Sequence, residues 1–311
     1  MKSNKKPEKI NIGGQAVIEG VLMRSPHFYS IAVCKKNKKI VHKSGRINSL
    51  SDKYKFLKWP FIRGFLVLYE SLILGYKALD YSANIFEDGN SPRKKNINQN
   101  FENIIAFITS ILFAILFFIV TPYYLMRLIE AKIKTAGQNS ILFNLGIGIF
   151  KILIFLLYVW IISFIKDIKR IFMYHGAEHK TIFAYEESKN LNYSNIKKYP
   201  TIHPRCGTAF IFITFVISII FFALFLPPKF NILYRIFIEI PLIIPIAGVS
   251  YEILKLTDKF KNNFLIKIFI FPGLAFQKIT TMQPDKMQIL TAIKAAQTVI
   301  NLEKKYYGRK K

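Results

Sequence analysis

The chain has 311 residues, 52% of them hydrophobic, with 45 Lys+Arg against 18 Asp+Glu and a net charge of +27. Its apolar residues come in blocks long enough to cross a bilayer, which excludes an ordinary soluble domain. Two cysteines, Cys34 and Cys206, exclude a disulfide framework.

The first sixty or so residues are polar and basic and lack the apolar core and small-residue cleavage site of a signal peptide. Targeting is therefore expected from the spans themselves. Residues 13–24, GGQAVIEGVLMR, read as a strand with a glycine bulge and an internal Glu19–Arg24 pair, or as residues lining a site, with Arg24 as an anion clamp. Alternation in IAVCK and KIVHK, around a Lys/Asn turn, predicts a β-hairpin. From Trp59 to Glu87, Phe61, Phe65, Leu68, Leu72 and Tyr76 recur at helical spacing but are interrupted by Arg63, Glu70 and Lys77. That pattern predicts an interfacial or buried helix rather than a span. A polar linker follows.

Four blocks qualify as membrane spans: Ile104–Met126, Ile141–Ile165, Gly207–Pro228 and Ile232–Leu256. If both termini face the cytoplasm, the inner segments carry 38 Lys+Arg and the outer ones 4. The positive-inside rule thus sets the chain N-in and C-in, with the 166–206 loop in the cytoplasm. The same rule accounts for most of the net charge. No nucleic-acid recognition module accompanies it, so no nucleic acid is expected and the lipid bilayer is the expected partner. Phe264–Ile279, interrupted by Pro272-Gly273, reads as a re-entrant or surface-lying segment. Asp285–Lys305, after Pro284, reads as an amphipathic helix with Leu290, Ile293, Ala296 and Ile300 on one side.

The expected fold class is an α-helical integral membrane protein of about four transmembrane helices, with a small cytoplasmic α+β part and an N-terminal β-hairpin. Its expected divisions are residues 1–100, the membrane domain 101–256, and the segment 257–311.

Chemistry concentrates in the 166–206 loop. His175 and His179 stand four apart in HGAEH, which places both imidazoles on one face of a helix, close enough to hold one ion. His-x-x-Glu-His is the reverse of the metallopeptidase HExxH, and in that pattern the glutamate, here Glu178, is the general base. His203 and Cys206 precede the third span and are candidate further ligands. Three ligands and water make an open site, whereas four make a closed, structural one. Zn²⁺ suits such donors. Arg205 or Arg24 is a candidate for holding developing negative charge, and Glu252 is a further oxygen donor. The alternative is a polar helix extension with Glu178 paired to Lys180 or Arg205. Within the spans, Lys151 and Glu239 are candidates for a buried pair. Beside the prolines of span four, that pair suggests a transport path.

Taken together, GGQAVIEGVLMRSP, HGAEHKTIFAYE, HPRCGTAF and ITTMQPDKMQILTAI resemble the YqhQ-like family, bacterial multi-span membrane proteins with a domain of unknown function. The resemblance covers about residues 10–300 and implies a metal-dependent enzyme with its ion at His175, Glu178 and His179. It implies no substrate. The leading expectation is a metal-dependent hydrolase at the cytoplasmic face. Its rivals are a membrane scaffold or assembly factor that binds other membrane proteins, and a small-solute transporter.

Overall fold

The computed structural model describes residues 10–88, 97–133, 140–227, 231–260 and 263–308. The polar linker expected after residue 88 lies mostly outside them. Four strands form an antiparallel meander in the order β1-β2-β3-β4: β1 (Gly13–Val17), β2 (Gly20–Arg24), β3 (Phe28–Cys34) and β4 (Ile40–Arg46). The expected hairpin is β3–β4, in register from Phe28↔Arg46 to Cys34↔Ile40. The glycine-rich stretch is not one bulged strand but a second hairpin, β1–β2, turning at Ile18-Glu19. Glu19 adopts φ 50°, a left-handed conformation costly for a side-chain-bearing residue. That strain is held by an ion pair to Arg170 and a 3.2 Å bond from the Tyr174 hydroxyl. The expected Glu19–Arg24 pair does not form.

A short helix α1 (Leu50–Lys53) leads to α2 (Ile62–Asp88). Next come α3 (Ile97–Ile115), a π turn (Leu116–Val120) and α4 (Thr121–Lys132). The π turn precedes Pro122, which has no N–H to give the ladder, and the Leu116 carbonyl accepts both the Thr121 N–H and, at 2.9 Å, the Thr121 hydroxyl. The remaining helices are α5 (Ser140–Ile162), α6 (Lys166–Glu186), α7 (Tyr193–Ile196), α8 (Gly207–Phe225), α9 (Ile232–Lys259), α10 (Phe264–Thr280) and α11 (Lys286–Gly308). Asp285 and Gln288 cap α11 reciprocally, each backbone N–H given to the other's side chain at 2.8 Å.

Four helical stretches are long and apolar enough to cross a membrane: Ile104–Lys132, Ser140–Ile162, Gly207–Phe225 and Ile232–Thr257. They carry outward-facing apolar side chains such as Phe107, Leu157, Phe225 and Phe237. Arg127 does not end the first, because it turns back onto Tyr123 and Glu130 and the helix runs on to Lys132. Helix α9 continues through Pro241 and Pro245, and α10 through Pro272, so neither is broken. Lys151 and Glu239 do meet, at 2.5 Å, and Arg235 joins them with Nη1 3.0 Å from the other carboxylate oxygen.

The sheet is sandwiched between helices. Val17, Leu22, Ile31 and Val33 face α2 at Leu74, Ala78 and Ile85. Val21, Met23, Ala32 and Cys34 face α6 and α11 at Tyr174, Ala177, Ala292, Ala296 and Val299. The stripe expected on the last helix is thus buried against the sheet. Toward its N-terminus α2 leaves the sheet and meets α9, where Arg63 Nε bonds Glu252 at 2.6 Å. There its Phe65, Tyr69, Leu72 and Tyr76 stand exposed.

Candidate metal centre

Helix α6 lies along β1 on the face of the sheet shared with α11. Its core stripe is Tyr174, Ala177, Thr181 and Ala184, all buried. His175 and His179 point to the other side, toward the loop before α8 and the end of α10. Gly176 permits that packing: a Cβ there would lie 2.1 Å from the Met282 carbonyl oxygen.

Both histidines are anchored through Nδ1. His175 Nδ1 lies 2.9 Å from the Thr280 carbonyl, and His179 Nδ1 lies 2.5 Å from the Thr201 carbonyl. A carbonyl only accepts, so each Nδ1 carries the proton. Burial pushes His179 below its ordinary pKa, which keeps the ring neutral. Its Nε2 therefore presents a lone pair, the state a metal requires.

The third donor is Cys206. It caps α8 with its sulfur as acceptor, taking the Thr208 N–H at 3.4 Å and the Thr208 hydroxyl at 3.2 Å. His175 Nε2 lies 3.2 Å from the same sulfur. Burial pushes the Cys206 thiol up, but His179 and the two Thr208 donors more than offset it, and the net shift is downward. A helix N-terminus and the two Thr208 donors favour the thiolate, the form that binds metal. One donor atom from each of His175, His179 and Cys206 lies within 4.8 Å of the other two. His179 Nε2 is buried and makes no well-formed hydrogen bond with any described residue.

Glu178 sits beside this trio, turned toward β1. The Gly14 N–H bonds its carboxyl group, while Oε2 is buried with no hydrogen-bond partner among the described residues. Burial pushes its pKa up to about 8, with His175 and the Gly14 N–H acting in the opposite sense. Neither Lys180 nor Arg205 pairs with it. Lys180 Nζ donates to the Lys197 and Tyr199 carbonyls, at 3.1 and 2.5 Å. Arg205 Nη2 pairs with Glu186 at 2.5 Å.

Three of the expected site residues fall elsewhere. His203 is buried and near, its ring centroid 5.7 Å from that of His179, but its nitrogens are turned away. Nδ1 accepts the Arg205 N–H at 3.2 Å, and Nε2 faces Glu186 at 3.4 Å. Glu252 is held by Arg63 and the Phe61 N–H. Arg24 lies on the opposite face of the sheet, donating to Ser71 on α2 at 2.7 Å. Alternation along β2 explains this, since Met23 and Arg24 must face opposite ways.

Residues that support the site are less visible in the sequence. Gln277 clamps the His203 backbone at both its N–H and its carbonyl, at 2.8 and 2.9 Å. A lone glutamine in the apolar run of α10 was the available signal. The two anchoring carbonyls, of Thr201 and Thr280, left no signal in side-chain identity.

These features define a membrane-associated helical protein that carries a largely buried His–His–Cys cluster and a carboxyl group with one unpaired oxygen beside a small α/β layer. The chain matches the family described as protein of unknown function (DUF1385) over residues 59–302, and it belongs to that family. It is 30% identical over 302 residues to the uncharacterized protein YqhQ of Bacillus subtilis (strain 168), covering 94% of this chain and 92% of that protein. No solved structure matches it.

Proposed function

We propose that the protein is a metal-dependent hydrolase of the bacterial cytoplasmic membrane, oriented N-in and C-in, with its site at the cytoplasmic face. The observation that carries this reading is the convergence of donor atoms of His175, His179 and Cys206 on one place, next to a carboxyl group with an unpaired oxygen. The donor set fits Zn²⁺, which takes imidazole nitrogen and thiolate sulfur and leaves a position open in three-ligand catalytic sites. Bound there, Zn²⁺ would supply Lewis acidity and make water ionise near neutral pH.

The chain's own residues do the rest. His175, His179 and Cys206 would hold the ion, with the Thr280 and Thr201 carbonyls orienting the rings. Glu178 would take a proton from attacking water and return it to the leaving group. His203 pairs with Glu186 and braces the loop. Arg205, bound to Glu186, is the nearest candidate to reach a developing anion if that pair opens.

The test is zinc content of the detergent-purified protein, followed by activity of Glu178→Gln. The reading expects the variant to keep zinc and fold and to lose turnover. A scaffold with a structural metal expects no change in Glu178→Gln. A transporter expects Lys151 and Glu239 to matter more than Glu178.

A further inference from the structure

Strand β1 is the outermost strand of its sheet, with β2 on one side and no strand on the other among the described residues. Such an edge offers unpaired backbone groups to any extended chain. Which groups point outward follows from Glu178. Along an antiparallel strand, residues alternate between bonding the partner and pointing away from it. The Gly14 N–H is given to Glu178 rather than to Met23 opposite, so Gly14 points outward, and so does Ala16 two residues on.

The edge is open where it matters. Gly14 and Gln15 are exposed, and a Cβ added at Gly13 would meet nothing within 4 Å. Gly207, directly after the donor Cys206, likewise faces open space. The glycines of GGQAV thus leave a bare backbone running past Glu178. Helix α6 runs antiparallel to that backbone, since Arg170 and Tyr174 meet Glu19 while Glu178 meets Gly14.

We infer that the substrate is a polypeptide, bound in extended form as a fifth strand on the β1 edge, with the amide to be cleaved beside Glu178 and the His175–His179–Cys206 cluster. This rests on the hydrolase reading above and names its substrate class. Strand addition recognises the backbone amide itself, through the outward groups of Ala16 and the Gly14 carbonyl. A phosphate-bearing lipid head group would need cations, and four basic side chains of α6, β2 and the loop before α8 are already committed. Arg205 pairs with Glu186, Arg170 with Glu19, Lys180 with two carbonyls, and Arg24 faces the other side of the sheet. In the reaction, water oxygen adds to the amide carbon and the C–N bond breaks. Glu178 takes one proton from that water and passes it to the leaving nitrogen, which gives a carboxylic acid and an amine.

The test uses the full chain in detergent, with unfolded casein as the probe and zinc content measured on every sample. In Glu178→Gln, casein is expected to slow amide exchange at residues 13–17 and to leave the other sheet edge, β4, unchanged. In wild type, casein is expected to be cleaved. Ala16→Pro removes an outward N–H without touching the bonds to β2, a place where edge strands tolerate proline. It is expected to lower kcat/KM by about tenfold or more, from the lost bond and the ring's clash with an added strand, with zinc unchanged. Three results overturn the inference: exchange at 13–17 indifferent to casein, exchange there already slow without it because a second copy covers the edge, or equal cleavage by Ala16→Pro. Zinc-loaded protein that turns over p-nitrophenyl acetate but not casein overturns the peptide substrate and leaves the hydrolase reading standing. Wild type without zinc overturns both.

Discussion

Adjacent glycines make the sharpest structural prediction. A Cβ on Gly14 would sit 2.7 Å from the Leu22 carbonyl oxygen and 2.9 Å from both Cγ and Cδ of Glu178. The carbonyl belongs to the paired strand and does not yield, so Glu178 must move and surrender the Gly14 N–H. Overpacking of this kind costs about 1–3 kcal/mol. The lost hydrogen bond adds about 1 kcal/mol. Restriction of the unfolded chain returns about 0.4–1 kcal/mol. The expected net destabilisation for Gly14→Ala is about 1–3 kcal/mol, or a fall in Tm of roughly 2–9 °C. Gly13→Ala meets no neighbour within 4 Å and is expected to be neutral or slightly stabilising. The assay is thermal unfolding of both variants in the same detergent, with zinc content beside it. Zinc should persist in both, because none of the three donors is touched, whereas turnover should fall only in Gly14→Ala. Equal melting of the two variants would refute the placement of Glu178 against β1.

The buried charges of the apolar helices should respond asymmetrically. Glu239→Gln strands two buried cations, Lys151 and Arg235, and is expected to cost about 3–5 kcal/mol, whereas Lys151→Met leaves the Arg235–Glu239 pair and costs far less. Unfolding of the two variants side by side checks this. Burial holds Glu178 at about 8, against an ordinary 4.5, so between those values the folded state keeps a proton that the unfolded chain has lost. Metal-free stability should therefore be greatest below the lower value, fall as pH rises, and lose this contribution above the upper one, with Glu178→Gln removing the slope. Trp59 stands exposed beside Phe61 and Phe65, and the chain has only one other tryptophan, Trp160. In a Trp160→Phe variant in vesicles, lipids brominated near the head group are expected to quench its fluorescence, because aromatic rings collect at that level. Quenching by aqueous iodide instead would place this end of α2 off the membrane.

Periodicity carried most of the architecture in the sequence. The four apolar blocks, the β3–β4 hairpin, α2 and α11 all announce themselves through spacing. The Ile18-Glu19 turn did not, because Glu19 adopts a conformation usually reserved for glycine or asparagine, and an ion pair from 151 residues away holds it. The prolines of α9 and α10 suggested breaks, but packing against neighbouring helices overrides the local penalty. Within the site, the i, i+4 histidines were readable, since local spacing puts them on one helix face, whereas nothing local told Cys206 from His203 as the residue that turns toward them. His203 was not, because its ring direction depends on Glu186 and Gln277, contacts that no local pattern encodes. Arg24 was misplaced for a simpler reason: its side of the sheet is decided by register, and the register was unknown until β1 and β2 were seen to pair.

The central claim is that His175, His179 and Cys206 hold one metal ion. Elemental analysis of the detergent-purified protein, beside a His175→Ala/His179→Ala variant shown to be folded, tests it most directly. About one equivalent of zinc per chain, lost in the variant, is the predicted result. No metal in either protein, or equal metal in both, would contradict the account.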